Sequence, residues 1–60
     1  MKVYFTVYCN YVDNVYQIKA QKRQFEQYNK ICTSMADLMA QILVINQALR
    51  LRYKVVITFA

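Results

Sequence analysis

The sequence predicts a small α+β fold, in which an antiparallel sheet of three or four strands packs one long helix on one face. The order along the chain is β-β-(β)-α-β. Both ends of the chain are rich in β-branched and aromatic residues with a period of two. Between them lies a long apolar stretch that has helical periodicity. Residues 1–60 are short enough to form a single domain, and a helix on one sheet face is its simplest arrangement.

The first two strands are predicted to form a hairpin. Residues 2–9, KVYFTVYC, and residues 15–21, VYQIKAQ, both alternate between two faces. Residues 10–14, NYVDN, are the best turn candidate, since Asp13 and Asn14 tolerate turn conformations in a chain that has no Gly or Pro. The predicted core face holds Val3, Phe5, Val7, Cys9, Tyr16, Ile18 and Ala20.

Residues 22–31, KRQFEQYNKI, have two interpretations. In the first they form a third strand with Phe25 and Ile31 directed inward. In the second they are an irregular return, because Gln27 and Asn29 would share the core-facing parity of such a strand. The residues themselves leave both interpretations open.

The helix has a clear predicted start. Ser34 can act as the N-cap, and Asp37 follows three residues later at the positive end of the helix dipole. We expect the helix to run over residues 35–51. Arg50 and Arg52 lie in or just beyond its last turn, where positive charge is favourable.

The last strand is predicted at residues 53–59, YKVVITF, where Val55, Ile57 and Phe59 share one side. If the helix covers the core face, the other face of the sheet is open. This open face is expected to carry Tyr4, Thr6, Tyr8, Gln17, Lys19, Lys54, Val56 and Thr58.

The helix has apolar residues on more than one side. A broad arc is expected to pack on the sheet, and it contains Met35, Leu38, Met39, Ile42, Leu43, Ile45 and Leu49. Asn46 falls inside the same arc. It is either an edge residue whose amide reaches water or a buried residue that sets pairing register.

A second apolar row, on the opposite side of the helix, indicates self-association. Small side chains allow two helices to approach closely, which predicts a homodimer contact. The alternative is that these are harmless surface residues. A second route to an oligomer is pairing of the apolar last strand at a sheet edge. The row that forms the predicted oligomer interface is Ala40, Val44, Ala48 and Leu51.

Size and composition also favour a homodimer or a higher homo-oligomer. A domain of this size buries only roughly 60 % of the surface that its unfolded chain exposes, yet 58 % of the residues are hydrophobic. We expect Cys9 and Cys32 to be free thiols packed as small hydrophobes, which indicates a reducing, intracellular, cytoplasmic setting. We expect no membrane span and no signal peptide.

The residue inventory argues against an enzyme. There is no histidine, which removes the commonest general base and the commonest metal ligand. The acids Asp13, Glu26 and Asp37 are isolated, two cysteines alone cannot close a zinc site, and no glycine is present for a phosphate-binding loop. We therefore expect no catalytic residues, no metal and no cofactor.

Binding chemistry is better represented, because the net charge is +5 and six tyrosines lie among the cations. Tyrosine rings beside lysines suit nucleic acid, with bases stacked on rings and phosphates on cations. We therefore expect a small basic binding module that acts, as an oligomer, on nucleic acid or on nucleic-acid machinery. The alternative is that charge maintains solubility and tyrosine favours strands. The predicted nucleic-acid-binding residues are Lys19, Lys22, Arg23, Arg50, Arg52, Lys54, Tyr4 and Tyr8.

The rival hypothesis is a stoichiometric inhibitor that covers the surface of a host protein, since Tyr and Arg are also enriched at protein interfaces. In size and in its lack of motifs the chain resembles phage-encoded inhibitors of host enzymes such as anti-CRISPR proteins. Its element order loosely resembles the strand-helix-strand core of HicB-type antitoxin domains. No residue motif matches either group.

Overall fold

The structure, a computed structural model, describes residues 1–10 and 12–60. The elements follow in the predicted order, and the described residues form a four-stranded sheet with one α-helix, which confirms the α+β fold class. The strands are β1 (Lys2–Asn10), β2 (Val15–Ala20), β3 (Lys30–Cys32) and β4 (Lys54–Phe59). A 3-10 helix (Arg23–Tyr28) precedes β3, and the helix α1 (Met35–Leu49) precedes β4.

The sheet is mixed, whereas the sequence predicts an antiparallel one. Its strand order is β3-β2-β1-β4, and β4 pairs parallel to β1 while the other two pairs are antiparallel. The helical connection explains the difference. Strand β3 runs in the direction of β1, and α1 then carries the chain back along the sheet before β4 begins. Strands β1 and β4 therefore start at the same end, with Lys2 opposite Lys54.

The predicted hairpin turn is present. Asn14 adopts a left-handed backbone conformation, with φ of 52°, which asparagine tolerates better than most residues. The Asn10 side-chain oxygen accepts hydrogen bonds from the backbone N–H groups of Val12 and Asp13, and so holds the turn closed. Tyr11, which falls within the predicted turn segment, lies outside the described residues.

The segment between β2 and α1 combines the two sequence interpretations. The 3-10 helix returns the chain and buries Phe25 as expected, and its Tyr28 carbonyl accepts a hydrogen bond from the Gln41 side chain. The strand that follows, β3, is short, and its Ile31 side chain lies on the opposite face of the sheet from the predicted one. Cys32 is buried, and Ile31 is 63 % exposed on the open face because it pairs with Gln17. The expectation that Ile31 points inward is wrong.

The helix begins as predicted and ends two residues earlier. The Ser34 side chain caps its start by accepting a hydrogen bond from the backbone N–H of Asp37. At the other end, the Leu49 carbonyl accepts from the N–H groups of Arg52 and Tyr53, which turns the chain toward β4. Leu51 therefore lies in the turn and not on the helix, and 90 % of its surface is exposed.

The core lies between the helix and the inward face of the sheet. From the helix, Leu38, Ile45 and Leu49 are buried, and Ile42 packs against them. These positions form a narrower stripe than the sequence predicts. Asn46 is half-buried at its border, as expected of an edge residue. From the rest of the chain the core contains Val3, Phe5, Val7, Ile18, Phe25 and Cys32.

Three helix residues predicted to pack on the sheet point outward instead. Met35, Met39 and Leu43 are 54 %, 57 % and 56 % exposed. The helix α1 shares the inward face of the sheet with the 3-10 helix. The Gln41 side chain of α1 donates a hydrogen bond to the Tyr28 carbonyl of the 3-10 helix. The two methionines and Leu43 lie on the flank turned away from this contact, at about 100° per residue. A single narrow stripe of α1 is therefore enough to close the core.

Core packing can be tested on neighbouring helix positions. We expect Leu38→Ala to lower the free energy of unfolding by about 2–5 kcal/mol, because it removes a buried side chain. Met39→Ala should change it by about 0.5 kcal/mol or less. Urea denaturation at low protein concentration measures both. Equal losses for the two variants would contradict the observed orientation of the helix.

Candidate nucleic-acid interface

The open face of the sheet presents two tyrosines from its central strand. Tyr4 and Tyr8 have the opposite parity to the buried Phe5 and Val7, so the packing of the core turns both rings outward. They are 41 % and 47 % exposed. They are four positions apart along β1, a distance of about 13 Å between their Cα atoms. The strand therefore holds two aromatic side chains on one line.

Lys19 lies beside the midpoint between the two tyrosines, on the neighbouring strand. Thr6 is midway between them on β1, and it pairs with Lys19 on β2 and with Thr58 on β4. Adjacent strands are about 4.8 Å apart, so the base of the Lys19 side chain lies close to the line that joins the tyrosines. These side chains border a shallow depression of about 450 Å³, lined by Tyr4, Thr6, Tyr8, Lys19, Ala20, Gln21 and Thr58.

The remaining predicted cations gather at one end of the sheet, which we call the basic end. It is the end where β1 and β4 start and β2 stops. The end of β2 and the turn after α1 both lie here, and they are held together by Phe25 of the 3-10 helix, which packs edge-to-face on Tyr53 with 5.4 Å between ring centroids. The basic end contains Lys2, Lys22, Arg23, Arg50, Arg52 and Lys54.

The acids are distributed differently. Asp13 lies in the hairpin turn and Asp37 in the first turn of α1, both at the opposite end of the sheet. Glu26 lies in the 3-10 helix. The molecule therefore has a positive end and an opposite end that carries two carboxylates.

The structure thus groups the predicted binding residues in two sets. Tyr4, Tyr8 and Lys19 meet around the depression, as their strand parity indicates. The other five cations lie at the basic end, beside Lys2, which is not among the predicted binding residues. Lys2 faces Lys54 only because β1 and β4 are parallel. The pairing of Thr6 with Thr58 depends on the same register.

The two cysteines have separate environments and both are free. Cys9 and Cys32 lie opposite Tyr16 on its two sides, on strands that are not neighbours. Two strand spacings separate their Cα atoms by about 10 Å, and a disulfide needs less than about 7 Å. Burial raises the pKa of the Cys32 thiol, and Asp37 adds to this, while Lys30 acts in the opposite direction. Cys32 is therefore held as the neutral thiol.

Within residues 1–10 and 12–60, no three His, Cys, Asp or Glu side chains come together in a group that could hold a metal ion. In the same part of the chain, no helix has the length and apolar character needed to cross a bilayer. Comparison with protein-family models, with curated proteins and with solved structures finds no match.

The raised pKa of Cys32 predicts a pH-dependent stability. The folded chain holds this proton more tightly than the unfolded chain, so the stabilisation is complete below a thiol's ordinary pKa of about 8.5 and is lost as the pH rises above it. The free energy of unfolding of the unmodified chain should therefore fall toward that of Cys32→Ala at alkaline pH. Urea titrations across this range measure the difference, and Cys9→Ala is the control. A constant difference would contradict the assignment.

Proposed function

We propose that this protein is a small, non-enzymatic binding module whose open sheet face takes single-stranded nucleic acid. The observation that supports the proposal is the placement of Lys19 between Tyr4 and Tyr8 around one depression. Aromatic side chains on a sheet offer flat apolar surfaces to unstacked bases, and a neighbouring ammonium group offers a partner for phosphate.

The geometry suits an extended strand that follows β1. Each tyrosine ring can stack one base, and the depression between the rings has room for the linking sugar and phosphate next to Lys19. Thr6 and Thr58 provide hydroxyl groups in its lining. Beyond Tyr4 the same direction leads to the basic end, whose cations would attract further phosphates by long-range electrostatics. The module would therefore bind with little sequence preference, since stacking accepts every base.

Two further properties belong to the same proposal. The free thiols Cys9 and Cys32 suit a reducing, cytoplasmic compartment, where nucleic acid is accessible. A homo-oligomer would multiply the binding faces and so strengthen the attachment to a long strand.

A second candidate function is occlusion of a protein surface, as a stoichiometric inhibitor of a host enzyme. The exposed tyrosines around the depression favour it, because tyrosine and arginine are enriched among the residues that carry protein–protein affinity. Dependence on salt separates the two candidates. Counterion release makes nucleic-acid affinity fall steeply with salt concentration, and an aromatic protein interface responds weakly.

Binding of labelled oligothymidylate and oligouridylate, followed by fluorescence anisotropy over a range of salt concentrations, tests the proposal. Tyr4→Ala and Tyr8→Ala should each weaken binding by about 1–3 kcal/mol, because each removes one stacking surface. Tyr4→Phe and Tyr8→Phe keep the ring and should bind nearly as the unmodified chain does. Lys19→Gln should reduce the slope of log affinity against log salt concentration by about one, because it removes one phosphate contact.

Lys30→Gln is the matched control for Lys19→Gln. It removes the same charge from a neighbouring strand, but Lys30 pairs with the buried Ile18 and so belongs to the other face of the sheet. Equal effects of the two lysine variants would mean that net charge alone drives binding. No binding of either oligonucleotide at low salt would exclude the nucleic-acid function.

A further inference from the structure

The side of α1 that is turned away from the core is apolar over residues 35–44, and the exposed Gln47 ends this apolar surface. We call it the outer helix face, and it consists of Met35, Ala36, Met39, Ala40, Leu43 and Val44. They form two rows with a spacing of four residues, and every one is exposed. The faces of surface helices that are turned to water are ordinarily polar. A contiguous apolar surface of this kind marks an interaction site.

This face differs from the row predicted from the sequence. Ala40 and Val44 belong to the outer helix face. Leu51 does not, because it lies beyond the end of the helix, and Ala48 lies past Val44 toward the core-facing side of the helix, at about 100° per residue. Met35, Met39 and Leu43 replace them, because the core leaves these side chains outside. The outer helix face is therefore wider than the predicted row. Its largest side chains, Met35, Met39 and Leu43, lie along one border of it.

The distribution of charge makes the outer helix face complementary to that of a second copy, and it determines the direction in which that copy lies. The helix runs from the end that carries Asp13 and Asp37 to the basic end. A second copy laid on the outer helix face in the parallel direction would place the six cations of one basic end beside six others. In the antiparallel direction, each basic end approaches the Asp37 end of the other copy, so attraction replaces repulsion. The surface is complementary to itself in one direction only.

We propose that two copies of this chain associate through the outer helix face with their α1 helices antiparallel. A two-fold axis near Met39 and Ala40 sets Ala36 opposite Leu43 of the second copy, a small side chain facing a large one. Alanines at the centre allow the helices to approach closely. The dimer has four layers, sheet-helix-helix-sheet, and both open faces remain exposed. It does not depend on what the open faces bind.

The oligomeric state and its loss on mutation test the surface. Sedimentation equilibrium should give about twice the monomer mass of 7.2 kDa. Leu43→Glu should raise the dissociation constant at least about 100-fold, because each interface loses two apolar side chains. Val12→Glu is the matched control. It introduces the same charge at a side chain that is 92 % exposed in the hairpin turn, and the dimer should persist.

The direction is tested by cross-linking in a Cys9→Ala, Cys32→Ala background whose fold is verified by circular dichroism. A mixture of Ala36→Cys and Leu43→Cys chains should form a disulfide-linked pair on mild oxidation, and Ala36→Cys alone should not. Rapid cross-linking of Ala36→Cys alone would show parallel helices and overturn the proposal. A monomeric unmodified chain at high concentration would also overturn it, as would a Leu43→Glu dimer, which would indicate pairing at the exposed edge of β4.

Discussion

The alternation of side chains along β1 is the constraint on which the rest of the structure depends. This strand is paired on both edges, so its register is fixed twice. Its inward residues Val3, Phe5 and Val7 are at most 2 % exposed, and its outward residues include both tyrosines of the candidate interface. A shift of one residue would bury the tyrosines and expose the core. Burial of the inward residues of β1 therefore also determines which side chains the open face presents.

The direction of β4 has an equally wide effect. Because α1 carries the chain back along the sheet, the turn that contains Arg50 and Arg52 is delivered to the end where β1 begins. Cations that are separated by most of the chain are thereby collected, while Asp13 and Asp37 remain at the other end. The positive charge of a chain with a net charge of +5 is therefore concentrated at one end of the molecule. This uneven distribution affects both the proposed path of a bound strand and the proposed packing of a second copy.

Local pattern was sufficient to predict the hairpin, the helix start at Ser34 and the face occupied by Tyr4, Tyr8 and Lys19. Period-two alternation assigns faces without knowledge of the neighbouring strands. The direction of β4 was not predictable in this way, because it follows from the connection and not from the strand's own residues. The exposure of Met39 and Leu43 was not predicted either. How much of a helix is covered depends on what shares the sheet with it, and here the 3-10 helix takes part of that area.

The parallel pairing of β1 with β4 joins the first strand to the last, with Lys2 aligned to Lys54. The hairpin and the helix are local and can form within microseconds, but this ladder requires closure of nearly the whole chain. Until it closes, one edge of the most buried strand has no hydrogen-bonding partner. From this topology we expect closure of the long loop to contribute most to the folding time, and before it closes the unpaired backbone edge of β1 is open to aggregation.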